Sequence, residues 1–130
     1  MNKLIILLFF SIILTSCEKK SKVQKNITTI KLIEKEYNFG KISLGDTISH
    51  TFKVQNISEI PFKINQIGTS CGCTTSNFTK EEVNSNEFAV IETNFIPTKD
   101  RVGKVKESIV IDCNVEQGFI TFYLTGEIEE

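Results

Sequence analysis

The chain has no tryptophan, one histidine, one methionine, two prolines and two tyrosines among its 130 residues. Without tryptophan, the tryptophan-on-disulfide core of antibody domains is excluded. The single histidine, His50, has no second element to orient it, so nothing resembles a Ser–His–Asp arrangement. A glycine-rich phosphate loop is missing as well. Of the 15 basic residues only Arg101 is an arginine, and the formal net charge is −1. That balance exerts no pull toward nucleic acid, and no basic aromatic stripe is visible. Carboxylates stand singly at turns and on polar faces; the one adjacent internal pair, Glu81-Glu82, reads as a solvated turn. Long apolar runs are also lacking. From Leu4 to Leu14, broken only by Ser11, the run is eleven residues, whereas a helix crossing a bilayer needs about 20.

Eleven residues behind the positive Lys3 is the length of a signal-peptide core. The run closes in Leu14-Thr15-Ser16-Cys17, which resembles the lipobox of bacterial lipoproteins. That resemblance implies cleavage between Ser16 and Cys17, a diacylglyceryl thioether on Cys17, and acylation of the new amino terminus. Two or more acyl chains hold a protein stably at a membrane. The mature protein is therefore expected in the cell envelope, anchored at the periplasmic face or the cell surface. Residues 1–16 are then a lipoprotein signal peptide, 17–29 the lipidated cysteine with a flexible tether, and 30–130 the domain. Lys19, Lys20, Lys22 and Lys25 of the tether either serve solubility or lie against acidic head groups. Loss of the leader leaves 114 residues and, because Lys3 goes with it, a charge of −2. That length suits one domain around one core.

From Ile30 onward the hydrophobic period is two. Ile48, His50, Phe52 and Val54 share one face, as do Ala89, Ile91, Thr93 and Phe95. Val105, Ile109, Ile111 and Cys113 share another, interrupted by Glu107; Ile120, Phe122, Leu124 and Ile128 follow. Such alternation makes half-buried antiparallel strands. Turn-forming stretches separate them at 44–46, 56–61, 84–87, 97–103 and 114–118. No helical stripe appears, although Thr79–Val83 has room for one turn. Short strands at this spacing predict an all-β, antiparallel sandwich of about seven strands. The eight phenylalanines beyond the leader are expected to fill its interior.

Four motifs carry a resemblance. They are Tyr37-Asn38-Phe39-Gly40, Phe52-x-Val54-x-Asn56, Ser70-Cys71-Gly72-Cys73-Thr74, and Phe95-x-Pro97 with Gly103 beyond. Together, over about residues 36–128, they resemble a bacterial Ig-like family of unknown function, related to the Ig-like domains of the ASPM/Hydin type and common in Bacteroidetes lipoproteins. The resemblance implies an Ig-like sandwich and brings no established catalytic activity with it, so no enzyme is expected. It does not imply a thiol at Cys113.

With Cys17 assigned to lipid, Cys71, Cys73 and Cys113 remain, an odd number. Gly72 relaxes the backbone so that the sulfurs of Cys71 and Cys73 can converge, while a ring over so short a span is strained and labile. Three readings stay open: structural thiols in a tight turn, a disulfide (Cys71–Cys73 or either with Cys113), or a thiolate metal site. Such a metal site would suit copper(I) or zinc. Cys113 reaches the pair only if the third and sixth strands adjoin. His50 is either a hydrogen-bonded core histidine or an auxiliary ligand. Asp46-Thr47-Ile48 resembles an O-glycosylation sequon, with sugar at Thr47. The leading functional expectation is a lipid-anchored Ig-like module that binds or scaffolds an envelope protein or glycan without turnover. The competing one is a thiol-redox or copper/zinc-handling protein using Cys71-Gly72-Cys73.

Overall fold

Each alternating run becomes a strand. The computed structural model describes residues 26–130; the signal peptide, Cys17 and the four tether lysines lie outside the described residues. The strands are β1 (Ile30–Leu32), β2 (Glu36–Ser43), β3 (Ile48–Asn56), β4 (Ile64–Thr69), β5 (Thr74–Phe78), β6 (Phe88–Phe95), β7 (Gly103–Cys113) and β8 (Phe119–Glu129). They form two four-stranded sheets, in the orders β1-β3-β6-β5 and β2-β8-β7-β4. Eight strands replace the expected seven or so because two long strands break and change sheets. The chain leaves the first sheet after β1 to enter the second at β2, and returns from β4 to β5. Each edge of the sandwich is thus built by one sheet-switching strand, a known way of turning a corner between packed sheets.

One pairing departs from the antiparallel expectation. β2 runs parallel to β8, with a register shift between Asn38 and Lys41. Asn38 and Gly40 make this irregularity: the Gly40 N–H donates to Asn38 Oδ1 at 2.8 Å, and Gly40 has φ +74°, a conformation glycine adopts at least cost. Phe39 keeps the inward parity of Tyr37 and lies over Gly126, where an added Cβ would stand 2.1 Å from its ring; the extra residue then brings Ile42 to the buried side. Tyr37-Asn38-Phe39-Gly40 is therefore a packing device.

The core lies between the sheets. Phe52 of β3 stacks on Phe122 of β8 with ring centroids 4.6 Å apart, and Phe39 on Phe95 at 5.6 Å. Phe52, Phe62, Phe95 and Phe122 are fully buried, each contributing about 1.5–3 kcal/mol of transfer free energy. Phe88 and Phe119, expected inside, are about half exposed at 46% and 52%. Both begin their strands just outside the inward parity. Buried Asn56 closes one end of the core: its Nδ2 donates to the carbonyls of Ile60 and Val83, both at 2.9 Å, and its Oδ1 accepts the Ser58 N–H.

Two local expectations change. Thr79–Val83 makes no helical turn; Val83 bridges Phe62 instead, and a short 3-10 helix appears at Lys99–Arg101. The domain also begins before Ile30. Thr28 is buried, its N–H donates to the Asn114 carbonyl at 2.8 Å, and its hydroxyl donates to the Pro61 carbonyl at 2.9 Å. The tether expected over 17–29 is therefore fastened to the domain through Thr28, while Asn26 and Thr29 stay exposed.

Candidate functional site at the Cys71–Cys73 corner

The β4-to-β5 switch is made by residues 70–73. Thr69 supports the corner from within, its hydroxyl donating to the carbonyls of Cys71 and Thr74 at 3.1 and 3.2 Å. The Thr74 N–H closes back on the Cys71 carbonyl at 3.3 Å, and the Ile96 N–H donates to the Cys73 carbonyl at 2.9 Å. Between these supports Cys71 and Cys73 form a disulfide with Cα atoms 5.2 Å apart. Both cysteines are half-buried and Gly72 is exposed. A loop of so few residues removes little entropy from the unfolded chain, under about 2 kcal/mol. Stability alone is a weak reason for this bond.

Behind the sulfurs lies a residue that strand parity places inward against its chemistry. Glu107 of β7 is 1% exposed. One oxygen accepts from Ser70 Oγ at 2.5 Å, and the other takes the guanidinium of Arg101, the chain's only arginine. Ser70 is itself fixed, its Oγ accepting the Ser108 N–H and its own N–H donating to the Ser108 carbonyl, both at 2.9 Å. The sulfurs of Cys71 and Cys73 and a Glu107 oxygen all lie within 4.8 Å of one another. Thr74, also buried, places Oγ1 3.6 Å from the Cys71 sulfur. Glu107, Arg101, Ser70 and Thr74 surround the disulfide in two shells of one polar cluster.

The other expected site residues are elsewhere. β4 and β7 do adjoin, but their register sets Cys113 opposite Ile64 and Thr69 opposite Ile109. Four residues of strand put Cys113 about 14 Å down the ladder from the corner, beyond bridging. It is a free, buried thiol, and burial pushes its pKa up to about 11. His50 pairs with Thr93, which pairs in turn with Ser76 of β5, so two ladder spacings, about 10 Å, separate it from that edge. It stacks on Tyr37 at 3.7 Å and hydrogen-bonds Glu34 through Nε2 at 2.7 Å. His50 is thus a half-buried, partnered histidine and no ligand of the sulfurs. Thr47 is exposed on the turn before β3. As a metal centre the corner offers two sulfurs and one carboxylate, whose oxygens already hold Ser70 and Arg101. A closed zinc site wants four ligands.

Glu107 and Arg101 were missed from sequence. The signal was present: a charge on the inward parity of a strand needs a buried partner, and the lone arginine stands six residues before it.

Two facing sheets, sheet-switching edges and a parallel terminal strand define an Ig-like β-sandwich module. Residues 30–128 match the family described as "Protein of unknown function (DUF1573)", and the chain belongs to that family. No curated protein matches the sequence. Among solved structures, a protein of unknown function from Porphyromonas gingivalis W83 is similar with a TM-score of 0.68 at 15% identity, covering 78% of this chain and 47% of that one. This chain thus spans about half the length of that relative. The ASH/PapD-like domain 7 of human CEP192 is similar with a TM-score of 0.64 at 12% identity, over 81% and 88% of the two chains. The Vibrio cholerae VesB protease is similar with a TM-score of 0.58 at 13% identity, over 81% of this chain and 32% of that chain. These likenesses concern the fold.

Proposed function

We propose that the chain is a lipid-anchored Ig-like module of the cell envelope that binds or scaffolds an envelope protein or glycan without turnover. The observation that supports this reading is the open edge at the cysteine corner. β4 and β5 are the edge strands of their sheets, they meet at the corner, and the outward groups of an edge strand accept an added strand. The anchoring rests on Leu14–Cys17, and its test is fractionation. Globomycin should accumulate the precursor, and Cys17→Ser should move the protein out of the membrane fraction; unchanged processing and sorting would overturn the anchor. For binding, photo-crosslinkers at Thr75 and Asn77 of β5 are compared with one at Glu116 on the β7–β8 turn. A discrete adduct from the edge alone supports the reading, and none, or equal adducts from all three, refutes it.

A second reading, a thiol-redox or copper/zinc-handling protein, is favoured by the placement of Glu107 beside both sulfurs. Of its two halves the geometry supports redox better, because Cys113 and His50 stand too far away to complete a metal's coordination.

A further inference from the structure

We propose that the Cys71–Cys73 pair is a reversible thiol–disulfide exchange site for a partner dithiol. Cys73 is the attacked sulfur, Cys71 the leaving one, and Glu107 the charge beside both. The inference rests on the redox reading of these cysteines and is independent of the lipid anchor.

Three observations carry it. The first is access: Gly72 between the two cysteines is exposed and both cysteines are only half-buried against the core, whereas the third thiol, Cys113, is sealed inside it. The second is asymmetry. A thiolate formed at Cys71 meets the Thr74 hydroxyl, 3.6 Å away in the disulfide form; among the described residues the Cys73 sulfur has no such donor. The better-solvated thiolate leaves more readily. The third is Glu107, a buried carboxylate held by Ser70 and Arg101, within 4.8 Å of both sulfurs. A structural clip in a surface turn needs no such group behind it, and burying one is costly.

The chemistry balances without further reagents. A partner thiolate attacks Sγ of Cys73, the Cys71–Cys73 bond breaks, and its electron pair departs on Cys71, where Thr74 donates a hydrogen bond and solvent supplies a proton. The partner's second thiolate then attacks its own sulfur in the mixed disulfide and expels Cys73 as a thiolate, which is protonated in turn. Two electrons and two protons have passed from the dithiol to the pair, and the partner leaves as a disulfide. The reverse sequence oxidises the pair. Glu107 acts on the reduced state: a neighbouring negative charge opposes a second one on either sulfur, which lowers the reactivity of the reduced pair. Replacing it with glutamine leaves the Arg101 guanidinium unopposed and favours thiolate. Because intrinsic nucleophilicity falls as thiolate is favoured, the alkylation rate gains only about threefold for each tenfold gain in thiolate.

The experiment uses the full chain, purified in detergent from whichever cell fraction holds it and equilibrated with mixtures of reduced and oxidised glutathione or with dithiothreitol. Thiols are counted by alkylation and mass while circular dichroism monitors the fold. The expected result is a pair that opens and closes reversibly in folded protein, with Cys113 unreactive throughout. Glu107→Gln should raise the iodoacetamide rate of the reduced pair about threefold near neutral pH, and Glu107→Asp should restore it. Thr74→Val should slow reduction by dithiothreitol about tenfold, the loss of one hydrogen bond to a charged sulfur, with the fold intact. A pair that stays oxidised across the glutathione series, or opens only on unfolding, overturns the proposal. So does stoichiometric uptake of zinc(II) or copper(I) by the reduced pair, or a Glu107→Gln rate equal to wild type. Should Glu107→Gln not fold, the wild-type equilibrium and Thr74→Val decide. Release of Cys17→Ser from membranes leaves every one of these readouts unchanged, so the two readings fail separately.

Discussion

Replacing Arg101 with methionine removes the cation from a carboxylate that is 1% exposed. Breaking a buried pair by deleting one partner costs about 3–5 kcal/mol, chiefly the penalty on the charge left behind. Two features of the corner reduce that figure. The Arg101 side chain is 35% exposed, so its loss opens a path for water, and Ser70 still donates to one Glu107 oxygen. We therefore expect about 3 kcal/mol, seen as a fall of about 1–2 M in the urea midpoint, measured without reductant so that the disulfide is constant. The companion variant, Arg101→Met with Glu107→Leu, removes both charges and keeps the volume filled. Such replacements are often close to neutral, so the double variant should lie within about 1 kcal/mol of wild type, a coupling of about 2 kcal/mol or more. If Arg101→Met costs less than about 0.5 kcal/mol, or if the two changes simply add, Glu107 is not held as described.

Gly126→Ala drives a Cβ to within 2.6 Å of the Gly40 carbonyl as well as into the Phe39 ring; because backbone must yield, the loss should reach about 2–3 kcal/mol in the same unfolding assay. Asn56→Ala should cost about 2 kcal/mol and not more, since the Ile60 carbonyl keeps the Thr28 hydroxyl and the Val83 carbonyl keeps the Phe62 N–H. For Cys113 the folded thiol ionises near 11 against an ordinary 9.0, pushed up by burial. Its contribution is therefore complete below pH 9, and stability falls as pH rises from 9 toward 11, because the unfolded thiol gives up its proton first. That slope, up to about 2–3 kcal/mol in all, should vanish in Cys113→Ala when urea midpoints are compared across this range.

Strand parity told most of what the sequence could tell. It placed Phe52, Ile91, Ile109, Phe122 and Leu124 inward because a sandwich has one dry face per sheet, and those five are fully buried. It treated Glu107 as an interruption when the residue obeys the parity, since hydropathy alone does not show that Arg101 folds back to meet it. The sheet switches escaped for a related reason. Alternation registers which way a side chain points, not which sheet it belongs to, so neither the β1-to-β2 nor the β4-to-β5 crossing could be read from it. β4 and β7 do adjoin, but register along that pair is decided by the loops at its ends, and Cys113 stands at a different height from the other two sulfurs. The leader, Cys17 and the tether are read from sequence alone.

The knot that Thr28 ties with Asn114 and Pro61 fixes the pole from which the N-terminal chain departs, and β4 then climbs about 17 Å before the disulfide appears. The exit of the N-terminal chain and the disulfide therefore lie at opposite ends of β4, so whatever holds the molecule at its N-terminal end need not stand between a partner and the sulfurs.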